Sequence, residues 1–124
     1  MDKVTGFDVP AYNVERAAEF YQKLFGWKTT SHEEGHSHIM TVKMDKHWVP
    51  KKKGAVNGGL YKKGKKNEKL AAIVTVDSID KSLARAKKAK GKVVTPKTAA
   101  GEWGWWAEIQ DTEGNVFELW EDNI

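Results

Sequence analysis

The chain contains no cysteine, which excludes disulfides, thiolate metal sites and cysteine nucleophiles. No apolar run approaches the roughly 18 residues that a bilayer-spanning helix needs. The first residues also lack the basic-then-apolar pattern of a secretory leader, so a cytoplasmic protein with no membrane partner is the expectation. Arginine is scarce, Arg16 and Arg85 being the only two, and planar forks for phosphate are correspondingly few. What is present suits a single compact domain. Its 124 residues are 40% hydrophobic and 31% charged, globular rather than disordered, and too few for two ordinary domains. The formal charge of +4 comes from 21 basic and 17 acidic side chains, and the excess is local, at 51–53, 62–66 and Lys87, Lys88 and Lys90. These runs have no interleaved arginine or aromatic residue, and the helical lysines alternate with alanines. They read as solvated loops and one helix face rather than as a nucleic-acid surface.

The chain reads as one pattern written twice. In the first half Phe7 and Val9 form the apolar side of a strand, Asn13 caps a helix and Gly26 stops it. Val14, Ala17, Ala18, Tyr21 and Leu24 supply that helix's apolar stripe. In the second half a strand over 72–76 precedes a helix capped by Ser78, striped by Ile79, Leu83 and Ala86, and stopped by Gly91. At the 65-residue offset that superimposes Gly91 on Gly26, Asn13 meets Ser78, Val14 meets Ile79, Glu15 meets Asp80 and Val9 meets Val74. Three β-like runs follow each helix: 27–30, 37–43 and 56–61 after the first, and 92–95, 103–110 and 116–120 after the second. Both halves are therefore βαβββ, an α+β pattern dominated by antiparallel hairpins. Module 1 covers 1–61, a polar connector 62–69 and module 2 70–124. One module is too small to bury much core, so two must pack together into a curved mixed β-sheet cavity flanked by helices.

The most informative stretch is the last hairpin. Residues 105–110 and 116–120 are β-prone runs around a turn in which Gly114 and Asn115 are available for positive φ. Alternation places Phe117 and Leu119 on one face and Val116, Glu118 and Trp120 on the other. Glu118 is either a solvated strand residue or part of a site.

Three segments, Arg16-Ala17-Ala18-Glu19-Phe20-Tyr21 through Phe25-Gly26-Trp27, Asn57-Gly58-Gly59-Leu60, and Asp111-Thr112-Glu113-Gly114-Asn115 through Glu118-Leu119, resemble the vicinal oxygen chelate superfamily of glyoxalases, bleomycin-resistance proteins and extradiol dioxygenases. The resemblance covers nearly the whole chain and is almost silent about the reaction, because this fold hosts many chemistries. It implies, for metal-dependent members, four ligands on the first and last strands of the two modules. Here those positions are Gly6, Ala71, Gly59 and Glu118. Three carry no donor atom, and one carboxylate does not make a catalytic metal centre. The expectation is no metal and no cofactor, with glyoxalase and ring-cleavage chemistry in doubt. The resemblance and the number of tryptophans needing cover imply a homodimer.

Among the other candidates, His32, His36, His38 and His47 cluster before and around Trp48. His36 and His38 are two apart and share a strand face, yet the surrounding Glu33, Glu34, Gly35 and Ser37 read as an exposed turn with solvated imidazoles. His38, where an apolar strand begins, is the one that can face a pocket and donate a proton near neutral pH. Trp106 and Glu108 share Glu118's face if Trp105, Ala107 and Ile109 face the helices, and Trp48 can close over it. Asp8 lies opposite Phe7 and Val9, near Glu118 across the cavity. Asn57 and Tyr61 complete the expected ligand-binding set, with Glu118 as the catalytic candidate. Indoles lining a concave sheet favour a flat or aromatic ligand, though the same rings also suit core and interface.

Three function classes follow. The first is a metal-free binder of a small organic ligand, aromatic or basic, of the bleomycin-resistance type. The second is a glyoxalase-like lyase or isomerase with Glu118 as base or ligand and a cation recruited through atypical groups such as His38. The third, weakest, is an acidic-partner or nucleic-acid module built on the lysine loops.

Overall fold

A computed structural model describes residues 1–33, 36–47, 49–64 and 68–123, with backbone alone at 31–33. The patterns above become β1 (Lys3–Ala11), α1 (Val14–Phe25), β2 (Lys28–Glu33), β3 (His36–Met40), β4 (Asn57–Lys62), β5 (Ala71–Thr75), α2 (Ile79–Lys88), β6 (Lys92–Ala100), β7 (Gly104–Gln110) and β8 (Val116–Asp122). The class is α+β. The chain divides into two units, Gly6–Leu70 and Met1–Thr5 with Ala71–Ile124.

In the first unit the strand order is β2-β3-β4-β1. The β1–β4 pair is parallel, with Asp8 opposite Gly59, and the other two pairs are antiparallel. Asn13 Oδ1 accepts the Arg16 N–H at 2.9 Å, and Gly26, at φ 74°, returns its N–H to Gln22 O. Both signals are local, which is why the sequence carries them. Val9, Ala11, Ile39 and Leu60 form the core, against Val14, Ala17, Ala18 and Tyr21 of α1 and Phe7 and Trp27. Leu24, expected in the same stripe, is 58% exposed. At 100° per residue it lies about 70° from the stripe's centre, and Trp27 instead packs on Phe7, Tyr21 and Phe25 with ring centroids 4.7–5.8 Å apart. β3 ends at Met40 rather than continuing to position 43. There the Asn57 side chain accepts the Thr41 and Val42 N–H groups at 2.8 and 3.2 Å, drawing the backbone out of the ladder.

The second unit repeats the scheme in the order β5-β8-β7-β6, with β5–β8 parallel and Ile73 opposite Glu118. Ser78 Oγ accepts the Lys81 N–H at 3.2 Å. The Ile79 N–H donates to Glu121 Oε1 at 2.7 Å, a carboxylate at the positive end of α2. Val76, Ile79, Ala107 and Leu119 form this unit's core, with Val74, Leu83, Trp105 and Ile109 around it. The Lys97 ammonium lies over the Trp105 ring at 4.8 Å and 3.3 Å from Asp80.

Two expectations need correction here. The left-handed residue that closes α2 is Lys90, at φ 75°, not Gly91. Gly91 is required for a different reason: a Cβ there would stand 2.8 Å from Gln110 O and 3.1 Å from Ala86 O. Trp103, expected at the start of the β-like run 103–110, lies in the turn before β7 and is exposed. β6 also runs further than expected, through Pro96 to Ala100. It is terminal in its half-sheet, where a proline's missing donor is tolerated, and its register against β7 shifts twice.

Leu60 is fully buried and Leu24 is not. Leu60→Ala is expected to cost about 2–5 kcal/mol of unfolding free energy, and Leu24→Ala under about 0.5 kcal/mol, measured by urea denaturation of both variants beside the parent.

Candidate functional site

In the second unit β7 and β8 commit one face to α2: Trp105, Ala107 and Ile109 from β7, Leu119 and the Glu121 carboxylate from β8. Because side chains alternate, Trp106, Glu108, Glu118 and Trp120 occupy the far face. There Glu108 stands opposite Glu118 and Trp106 opposite Trp120, and all four are half-buried. Directly opposed side chains have Cβ atoms about 5 Å apart. Thr95 Oγ1 donates to Glu108 Oε1 at 2.5 Å, fixing that carboxylate from the neighbouring strand. The Trp120 indole lies over Gly104, whose missing Cβ would be 3.0 Å from its Cζ2, and its Nε1 donates to Asp122 Oδ1 at 2.7 Å. Two carboxylates beside two indoles form an anionic patch with aromatic walls, suited to a cation or to hydroxyl and amine donors.

The register of this face is set at the turn. Asp111 Oδ1 accepts the N–H groups of Glu113 and Asn115 at 2.8 and 2.9 Å, and Gly114 alone takes the positive φ, 87°, expected of Gly114 or Asn115. The Asn115 N–H, joined by that of Glu113, holds the Asp111 carboxyl below the usual aspartate range.

In the first unit, the far face is the one turned away from α1. Asp8, Gly59 and His38 lie in one register row across β1, β4 and β3. A Cβ on Gly59 would collide with the Asp8 carboxylate and lie 3.5 Å from His36 Nε2. The His36 and His38 rings are 5.9 Å apart between centroids, and Tyr61 stands opposite His36. His36 is therefore a half-buried strand residue, not the solvated turn imidazole of the sequence reading. Asn57 shares this face by alternation, but its amide is engaged locally. Its Oδ1 also accepts Thr41 Oγ1–H at 3.1 Å, and its Nδ2 donates to Val42 O at 3.3 Å. Trp48 and the His32 side chain lie outside the described residues. Two hollows of about 350 and 490 Å³ in this unit line α1 on its Tyr12–Phe20 and Glu15–Gln22 sides, in the helical layer rather than on the far face.

Sequence reasoning placed Trp106 and Glu108 on the face with Glu118. It left Trp120, Thr95 and His36 out of the candidate set. Alternation alone could have added Trp120. Thr95 had no signal, because the shifts in β6 decide its partner.

The positions that the resemblance implied for the family's metal do not fit a metal centre. Gly6, Gly59 and Ala71 have no donor atoms, and the space of a side chain at 59 is taken by the Asp8 carboxylate. Among the described residues no group of three or more His, Asp or Glu could hold a metal ion.

Since the folded carboxyl of Asp111 is depressed, its contribution to stability is present above the unfolded value near pH 3.9 and is lost as pH falls through the folded value. Asp111→Ala is expected to lower stability at neutral pH and to flatten the acid limb between pH 5 and about 2. Thermal melts across that range provide the measurement.

The chain matches the family model of the glyoxalase/bleomycin resistance protein/dioxygenase superfamily over residues 4–119. No curated protein matches it. Among solved structures it is similar to a hypothetical protein from Bacillus halodurans C-125 (12% identity, 98% of this chain and 94% of that chain, TM-score 0.69). It is also similar to methylmalonyl-CoA epimerase from Mycobacterium tuberculosis (14%, 95% and 86%, TM-score 0.66). A third similarity is to the Mn(II)-bound glyoxalase from Novosphingobium aromaticivorans (18%, 98% and 40%, TM-score 0.60), of whose chain this one spans less than half. At such identities these likenesses speak to the fold, while the family match spans nearly the whole sequence. With its two βαβββ units, the chain belongs to the glyoxalase/bleomycin resistance protein/dioxygenase superfamily.

Proposed function

We propose that the chain binds a small organic ligand on the far face of its second unit, without the family's metal centre. The observation that carries this reading is the in-register pair Glu108–Glu118 beside the in-register pair Trp106–Trp120. A flat ring gains by stacking on indole, and a cationic nitrogen gains further from the ring quadrupole and the two carboxylates. A planar aromatic ligand carrying a basic nitrogen is the class that satisfies both features. Glu118 then anchors the ligand's positive end, Trp106 lies against its ring, and Glu108, held by Thr95, supplies the second charge.

The alternative keeps Glu118 as a general base in a metal-dependent lyase or isomerase. The naming of similar structures as a Mn(II)-bound glyoxalase and an epimerase favours it. It requires a cation that the family's own positions in this chain do not hold.

Titration of chelator-treated protein with a planar aromatic cation of the acridine class, followed by tryptophan fluorescence, separates the two. Saturable quenching is expected in the presence of chelator, weakened by on the order of tenfold, about 1.4 kcal/mol, in Glu118→Gln and in Trp106→Ala. An aromatic carboxylate of equal size is expected not to compete. Binding that needs a divalent ion would favour the enzyme reading, and binding indifferent to both substitutions would remove this face from consideration.

A further inference from the structure

Around α1 the first unit carries large rings that its own core does not cover. Tyr12, just before the helix, is 69% exposed and Phe20 is 58% exposed. Both line the hollow of about 350 Å³, together with Ala17, Tyr21 and Arg16, the last one turn before Phe20. Phe20 also meets Tyr21 edge-on, with ring centroids 5.8 Å apart and planes at 74°. The internal repeat shows that the fold does not require these rings. At the 65-residue offset Tyr12 meets Asp77, Arg16 meets Lys81 and Phe20 meets Arg85, and all three counterparts are exposed. The second helix thus meets water with charges at the positions where the first presents aromatic surface. Grouped, exposed aromatic side chains that the fold can do without mark a recognition site.

The hollow is cationic as well as aromatic. Arg16 brings it a guanidinium, and Lys63 brings an ammonium to its Tyr12 edge. The Lys63 N–H donates to Ala11 O at 2.8 Å, which fixes the residue after β4 beside the end of β1. From there Lys63 Nζ donates to Tyr12 Oη at 3.4 Å and lies 4.6 Å from the ring centroid. Among the described residues neither Arg16 nor Lys63 pairs with a carboxylate. The acids of α1 go to its other side. Glu15 and Glu19 line the second hollow, and Glu19 is tied to Lys23 at 2.9 Å.

We propose that this hollow binds a small aromatic carboxylate, Arg16 taking the carboxylate and the rings of Tyr12 and Phe20 holding the flat part. A guanidinium meets a carboxylate through two parallel N–H···O bonds, and the Lys63 ammonium adds a second positive charge. The ligand's ring gains by leaving water and by offset or edge contact with the two side-chain rings. The volume stands at the small end of ligand sites, about 300–1,000 Å³, and suits an acid of one or two rings. An inorganic anion would leave the rings uncovered, and an aromatic amine would face two cations. The site lies wholly within the first unit and prefers the charge opposite to that of the ligand proposed for the second. Neither site depends on the other.

The test is titration of the full-length 15N-labelled protein with 2-naphthoate, followed by NMR. The amide signals of Tyr12 to Tyr21 and the Arg16 Nε–H signal are expected to shift together and to saturate below about 10 mM. Arg16→Gln and Phe20→Gln are each expected to weaken binding by on the order of tenfold. Arg16→Lys, which keeps the charge and loses the fork, should fall between Arg16→Gln and the parent. Lys81→Gln, at the position in α2 that corresponds to Arg16, is expected to bind as the parent does. The naphthylmethylammonium ion, the same rings with the opposite charge, is expected to leave the α1 signals in place. Thermal melts check the fold of each variant, and the Arg16 and Phe20 substitutions serve as independent tests should one of them unfold. No saturable shift in the parent, or affinity unchanged in both the Arg16→Gln and Phe20→Gln variants, would overturn the proposal and leave the ligand face of the second unit untouched. Equal response to naphthoate and to the ammonium ion would overturn it too, by showing that the two cations take no part.

Discussion

In each unit the first strand pairs in parallel with the last, β1 with β4 and β5 with β8, and the rest of each unit is arranged around that pair. Parallel neighbours cannot be joined by a tight turn, so the chain must cross over, and it begins the crossing with an amphipathic helix. The helix buries one face of its half-sheet. Alternation then consigns every second residue to the other face, and no side chain can be moved between faces without slipping a whole strand. Asp8 and Glu118 both occupy far faces for this reason.

The second unit enforces the rule most strictly. Leu119 is 6% exposed, and two residues on Glu121 accepts the first N–H of α2. A one-residue slip of β8 would bury Glu118 and Trp120 against α2 and strip the helix of its terminal carboxylate. The turn at Asp111 holds the same register from the other end. Glu118 therefore keeps its place on the far face through packing and capping that involve other residues.

Much of this was legible in the sequence because its causes are local. The caps Asn13 and Ser78, the left-handed Gly26 and the hairpin around Gly114 each depend on a few neighbouring residues. Alternation on β7 and β8 puts Trp106 and Glu108 on the face of Glu118 once Trp105, Ala107 and Ile109 face the helix. What escaped has long-range causes. The early end of β3 depends on Asn57, 16 residues away, and the need for glycine at 91 arises from the carbonyl of Gln110. The burial of His36 follows from β4 lying beside β3, while its immediate neighbours in sequence are polar and suggested a turn. Thr95 reaches Glu108 only because β6 changes register along its length.

The family's fold is retained here, the positions that the resemblance implied for a metal include the donorless Gly6, Gly59 and Ala71, and the second unit bears a paired-acid, paired-indole face. The claim at the centre of this account is that the face bearing Glu118 recognises an organic cation without a metal. Indole N–H resonances of 15N-labelled, chelator-treated protein test it most directly, each assigned by single Trp→Phe substitution. On addition of a planar aromatic cation the Trp106 and Trp120 signals are expected to shift and saturate together, while that of Trp27, packed beside α1, stays in place. Shifts confined to other tryptophans, or shifts that appear only after a divalent ion is restored, would contradict it.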